Sequence, residues 1–189
     1  MSANKVGKHR AGQVGFTLIE FVIGMLVFAL AVTFFVSFIV PQTTRSIDPI
    51  FQVRATELAQ SLINEISVKS FDENSSRNSN IRCGEVAATA CTLPAALGPD
   101  NESRAAFNDV DDFDGLNESG ENILSATGEK IVINTVNLYQ GFRANVAVFY
   151  DADLNGSPDN AVSTTKLITV TVIMPNNENM VFATYRYNY

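Results

Sequence analysis

The sequence predicts an α+β protein, a long N-terminal helix whose second half lies on an antiparallel sheet. Three observations predict it. The run Phe21 to Val40 is apolar and uncharged, the right length for a helix that crosses a bilayer. Between Ala55 and Ile66 apolar residues recur at helical spacing, and the last third holds segments rich in Val, Ile, Thr and aromatics that alternate with a period of two. A helix on a sheet is the layered solution for elements of this kind in one domain.

The 189 residues carry 13 Lys and Arg against 20 Asp and Glu, a net charge of −7. From Ala11 to Thr44 the one charged residue is Glu20, whereas Lys5, Lys8 and Arg10 stand before that stretch without an acid among them. So sparse a basic segment in front of an acidic body argues against nucleic acid as a partner. A helix rises about 1.5 Å per residue, so Phe21 to Val40 spans the roughly 30 Å of a hydrocarbon core. By the positive-inside rule the basic head stays in the cytoplasm and everything after Pro41 is exported. A cleavable secretory signal is the competing reading, with Ala29-Leu30-Ala31 as its small-x-small site. That site lies in mid-run, with Val32 to Val40 still apolar behind it.

At the junction of head and run stands Gly15-Phe16-Thr17-Leu18-Ile19-Glu20. This segment resembles the processing motif of type IV prepilins and related pseudopilins. The resemblance implies a type IV pilin-like fold, cleavage after Gly15 by a prepilin peptidase and N-methylation of Phe16. Glycine suits a peptidase that needs close access to the backbone. Met1 to Gly15 would then be a leader peptide and the mature chain would begin at Phe16. Removing three basic residues from 13 leaves 10 against 20 acids, a net charge of −10. A carboxylate at the edge of a membrane helix is costly unless it has a partner or a function. The resemblance implies the partner: Glu20 attracts the Phe16 amine of a neighbouring pilin subunit and sets the register as helices bundle into a filament. The bland alternative is a Glu20 that reaches the headgroups and does no more.

Beyond the membrane run, Ala55, Leu58, Ala59, Leu62, Ile63 and Ile66 form the stripe of an amphipathic helix, read as core packing. Asp48-Pro49 reads as an N-cap followed by proline at the first helical position. Pro41 is expected to kink or break the chain, so the long helix 16–70, transmembrane over about 18–40, is interrupted between Pro41 and Asp48.

The body, 71–189, divides into a loop region, 71–129, and a sheet, 130–189. Cys83 and Cys91 are the only cysteines, and in an exported body an even pair at this separation is read as a disulfide. Lys130 to Asn137, Phe142 to Tyr150, Lys166 to Met174 and Met180 to Tyr187 are read as strands, with a turn at Pro175-Asn176-Asn177. Asp151, Asp153, Asn155, Gly156 and Asp159 fall at positions 1, 3, 5, 6 and 9 of a calcium-loop pattern. Val162 stands where the bidentate Glu of such a loop belongs, so a solvated acidic hairpin is the preferred reading and calcium the alternative. Phe107 to Gly115 carries Asp109, Asp111, Asp112 and Asp114. These repel one another unless solvated or bridged by a cation; the segment is read as a solvated loop anchored by Phe107, Val110 and Phe113.

That segment, together with Arg82-Cys83, Leu97-Gly98-Pro99-Asp100 and Tyr185 to Tyr189, resembles the minor pilins of the mannose-sensitive haemagglutinin pilus. The resemblance implies a minor subunit with a role in pilus biogenesis or adhesion, and as partners other pilins, the prepilin peptidase, the assembly machinery and the membrane. A pseudopilin of a type II secretion apparatus is the second reading. A membrane-tethered enzyme is the third, opposed by the inventory: the one histidine, His9, lies in the leader, leaving no imidazole for a catalytic dyad or a zinc site.

Overall fold

The computed structural model describes residues 15, 17–45, 48–76 and 81–189. The expected leader up to Val14 and Phe16, the expected mature terminus, lie outside the described residues. The chain separates into two compact units, Met1–Ser46 and Ile47–Tyr189.

The first unit holds α1, Leu18–Arg45. Its stretch Leu18–Ser37 is long and apolar enough to cross a membrane. The helix runs on through Pro41, and the boundary falls within the expected range between Pro41 and Asp48 but after the proline itself: α1 ends at Arg45 and α2 begins at Asp48. A proline forfeits one helical hydrogen bond, and helices that continue through it accept that loss.

The second unit begins with α2, Asp48–Ser67, shorter at its end than the expected Ser70. A sheet follows, made of β1 (Asn117–Ser119), β4 (Arg143–Tyr150), β5 (Thr165–Ile173) and β6 (Asn179–Tyr187), antiparallel throughout in the order β1-β4-β5-β6. Between β1 and β4 stand two short strands, β2 (Val132–Ile133) and β3 (Val136–Asn137), which pair with each other. The expected single strand Lys130 to Asn137 is therefore a small hairpin. Asn134 and Thr135 both have positive φ, 49° and 68°, the backbone of a primed two-residue turn that reverses the chain inside an unbroken alternating pattern. The remaining strands lie within a residue of their expected limits.

Period-two alternation does what it should. Ala144, Val146, Val148 and Tyr150 are buried on one face of β4, and Ile168, Val170 and Val172 on the same face of β5. The register sets Val146 opposite Val170, which in turn faces Phe182 of β6. Ala55, Leu58, Ala59, Leu62 and Ile66 of α2 cover this face, and Phe51 meets Phe142 edge-on at 5.9 Å. Each fully buried aliphatic side chain of this interface contributes about 1.5 to 3 kcal/mol.

The region 71–129 is more ordered than a loop: β1 lies in it, with short 3-10 turns at Pro94–Ala96, Asp111–Phe113 and Gly120–Asn122. Elements of three residues are too short to show a period. Cys83 and Cys91 form the expected disulfide, whose sulfurs pack with Phe71 and Tyr150 in a second small core. The double variant Cys83→Ser, Cys91→Ser is expected to lower unfolding free energy by about 2 to 3 kcal/mol on the chain-entropy model, read from urea midpoints. An apolar N-terminal helix and an antiparallel sheet with a disulfide-closed loop together make an α+β architecture compatible with a pilin-like fold.

Candidate functional site

Four groups of residues carry chemistry: the head of α1, the loop after β4, and two buried charge clusters.

Gly15 is exposed, with no atom near the space a Cβ would fill. Glu20 lies in the first turn of α1, where the helix dipole favours a carboxylate, and its amide donates to the Thr17 hydroxyl at 3.4 Å. The side chains described along α1 up to Ser37 are exposed, so Glu20 is the one acidic group on an otherwise apolar surface.

The loop after β4 brings Asp151, Asp153 and Asp159 together, one oxygen from each within 4.8 Å of the others. Asp151 is fully buried. Its Oδ1 accepts the Asn155 amide at 3.0 Å, and its Oδ2 accepts the Gly156 amide at 2.9 Å and the Tyr185 hydroxyl at 2.8 Å. Asp159 accepts the Ala152 amide at 2.7 Å, and the Asn155 amide group donates to Asp153 at 2.8 Å. Burial raises the Asp151 carboxyl, but the Tyr185 hydroxyl and these amides stabilise the anion, and the net shift is downward. A lowered native pKa gives stability that is present at neutral pH and lost as pH falls through that pKa. The loop therefore closes on its own donors, with Gly156 at φ 80° supplying the sharp turn. The same three carboxylates are the residues that could hold a calcium ion.

The acidic segment Phe107 to Gly115 is not the solvated loop expected from its composition. Asp109, Asp111 and Asp112 are 1%, 1% and 3% exposed. One buried cation lies beside this segment, Lys166 of β5, itself 0% exposed, and it pairs with Asp111 and with Asp72. Its Nζ donates to Asp111 Oδ1 at 2.7 Å, to Asp72 Oδ2 at 3.3 Å and to the Phe71 carbonyl at 2.8 Å. The ammonium also lies 4.5 Å from the ring centre of Phe71 and 5.1 Å from that of Tyr150, within range of a cation–π contact. The Tyr150 hydroxyl donates to the Thr92 carbonyl at 2.7 Å, and the Thr92 amide donates to Asp72 at 2.8 Å. The segment after α2, the acidic segment and β5 thus meet at one buried amine, and Thr92, beside the disulfide, joins them through Asp72 and Tyr150.

With more carboxylates than cations in this cluster, the site holds a proton. Burial and the neighbouring Asp111 push Asp109 up to about 8, whereas the Asp112 amide pulls it down. The native state keeps a proton that an unfolded Asp releases near pH 4, so stability declines between about pH 4 and pH 8 with a slope of up to ~1.4 kcal/mol per pH unit. Asp109→Asn, which imitates the protonated carboxyl, is expected to flatten that slope and raise stability at pH 8; urea titrations at pH 5 and pH 8 check it.

A second buried charge group joins α2 to β1. Arg104 grips Glu65 with a two-pronged contact, 2.5 and 2.7 Å, and reaches Glu118 at 3.1 Å, its guanidinium 4.9 Å from the centre of the Phe113 ring. Neither Lys166 nor Arg104 stood out in the sequence. For Lys166 the signal was present: positions 166, 168, 170 and 172 share the core face of β5, so the alternation already pointed a lysine inward. Comparison with protein-family models, with curated proteins and with solved structures finds no match.

Proposed function

We propose that this chain is a minor subunit of a type IV pilus of the mannose-sensitive haemagglutinin kind. A prepilin peptidase cuts after Gly15 and methylates Phe16, and the chain waits in the inner membrane with its N-terminus in the cytoplasm. It then enters the filament through its helix, and its role is structural rather than enzymatic. The observation that carries this reading is α1: an apolar helix exposed along its described length, with Glu20 as its single charge up to Thr44, five positions after Gly15. In a filament, apolar side chains of neighbouring helices replace lipid, and Glu20 pairs with the charged amine of the next subunit. The body, carried outside the membrane, is held together by its disulfide and its buried charge groups. Shearing surface filaments from cells and blotting for this chain tests the reading; the chain is expected in the sheared fraction.

One observation favours a second reading, a pseudopilin of a type II secretion apparatus. The convergence of Asp151, Asp153 and Asp159 suits a weak extracellular calcium site of the kind that would raise this reading. A rise in melting temperature with millimolar calcium, absent from Asp151→Ala, would favour it; recovery of the chain in sheared pili would favour the first.

A further inference from the structure

We propose that a cavity at the end of β6 binds a small carboxylate that also bears hydroxyl groups, the chemistry of an acidic sugar. The cavity has a volume of about 310 Å³, the size of a small-molecule site, and its walls include Ser67 at the end of α2, Ser75, Ser76, Arg82, Arg186 and Tyr189. This inference goes beyond the filament reading and does not depend on it.

Charge is the first argument. In a chain with 20 acids against 13 bases, the described residues lining this cavity include two arginines, one of them paired with Glu85, and no Asp or Glu. Such a wall selects anions by exclusion as well as by attraction.

The second argument is donor capacity. Arg186 gives one terminal nitrogen to the Lys69 carbonyl at 3.3 Å, and among the described residues its guanidinium makes no other hydrogen bond. The guanidinium presents its donors as a planar fork that fits a carboxylate through two parallel bonds. Arg82 spends one nitrogen on Glu85 at 3.1 Å and keeps the others for a ligand.

The third argument concerns the body of the ligand. Serine hydroxyls suit a ligand that can both donate and accept hydrogen bonds. Tyr189, 78% exposed and 5.6 Å from the Arg186 guanidinium, offers a flat aromatic face beside the anion site. A pyranose ring carrying a carboxylate meets all three demands.

Saturation-transfer NMR on the full chain in detergent micelles tests this, with sodium glucuronate as probe and glucose as its neutral twin. Glucuronate is expected to bind with a Kd on the order of 1 mM, and glucose at the same concentration to give no signal. Arg186→Gln is expected to abolish the glucuronate signal, and Arg82→Gln to weaken binding about tenfold, the effect of losing one charged hydrogen bond. Equal signals from the two sugars, or no glucuronate signal, would overturn the proposal. Should Arg186→Gln fail to fold, as judged by circular dichroism, unchanged binding in Arg82→Gln overturns it equally.

Discussion

Replacing Lys166 by methionine is expected to destabilise the folded chain by about 3 to 5 kcal/mol, the cost of removing one partner from a buried ion pair. That is a large part of the 5 to 15 kcal/mol that holds a typical domain together. The reason is local. Nζ is the donor shared by Asp111, Asp72 and the Phe71 carbonyl, all of them cut off from water. Methionine fills a similar volume and leaves the carboxylates without a counter-charge, so the loss is electrostatic and not a cavity. Pairing Lys166→Met with Asp111→Leu removes the buried pair as a unit and is expected to recover part of the loss. Urea denaturation followed by tyrosine fluorescence measures both. A Lys166→Met variant within about 1 kcal/mol of the parent would show that the amine is not what holds the acidic segment down.

Glu20→Ala is expected to leave the chain in the membrane and remove it from sheared filaments, with at least a tenfold fall in the filament-to-membrane ratio, which corresponds to about 1.4 kcal/mol. Membrane residence depends on the apolar run, and removing a carboxylate from a membrane helix favours insertion, by about 2.5 to 3.5 kcal/mol if it were central and less at the edge. On the proposed reading, filament entry depends on the register that the Glu20 contact sets. Membrane and filament thus move in opposite directions, which a simple loss of expression cannot imitate. Blotting both fractions reads the ratio. If incorporation is unchanged, Glu20 serves only to reach the headgroups.

The sequence carried those parts of the fold whose period is long. The stripe from Ala55 to Ile66 and the alternation through β4, β5 and β6 repeat often enough to declare both element and buried face. Where the structure departs from expectation, the deciding term is local or tertiary. Asn134 and Thr135 turn the chain through positive φ inside a pattern that still alternates, and α1 runs through Pro41 to Arg45. β1 has three residues, and its middle one, Glu118, is buried because Arg104 reaches it from the preceding loop. The burial of the acidic segment has a related cause: composition registers four aspartates close together, but not the lysine more than fifty positions later that pairs with Asp111. Of the groups that could carry function, Asp151, Asp153 and Asp159 are close in sequence and meet in one loop, and Cys83 and Cys91 pair as a disulfide. The cavity beside Arg186 has no signature, since its walls come from the end of α2, the segment between α2 and Cys83, and the end of the chain from Arg186 to Tyr189.

The central claim is that Gly15 and Phe16 mark the boundary between a leader and an assembly helix. Mass spectrometry of the N-terminal peptide of the chain purified from cell membranes tests it most directly. The account predicts a terminus at Phe16 bearing an N-methyl group. A terminus at Val32, the product of a secretory signal peptidase, would contradict it.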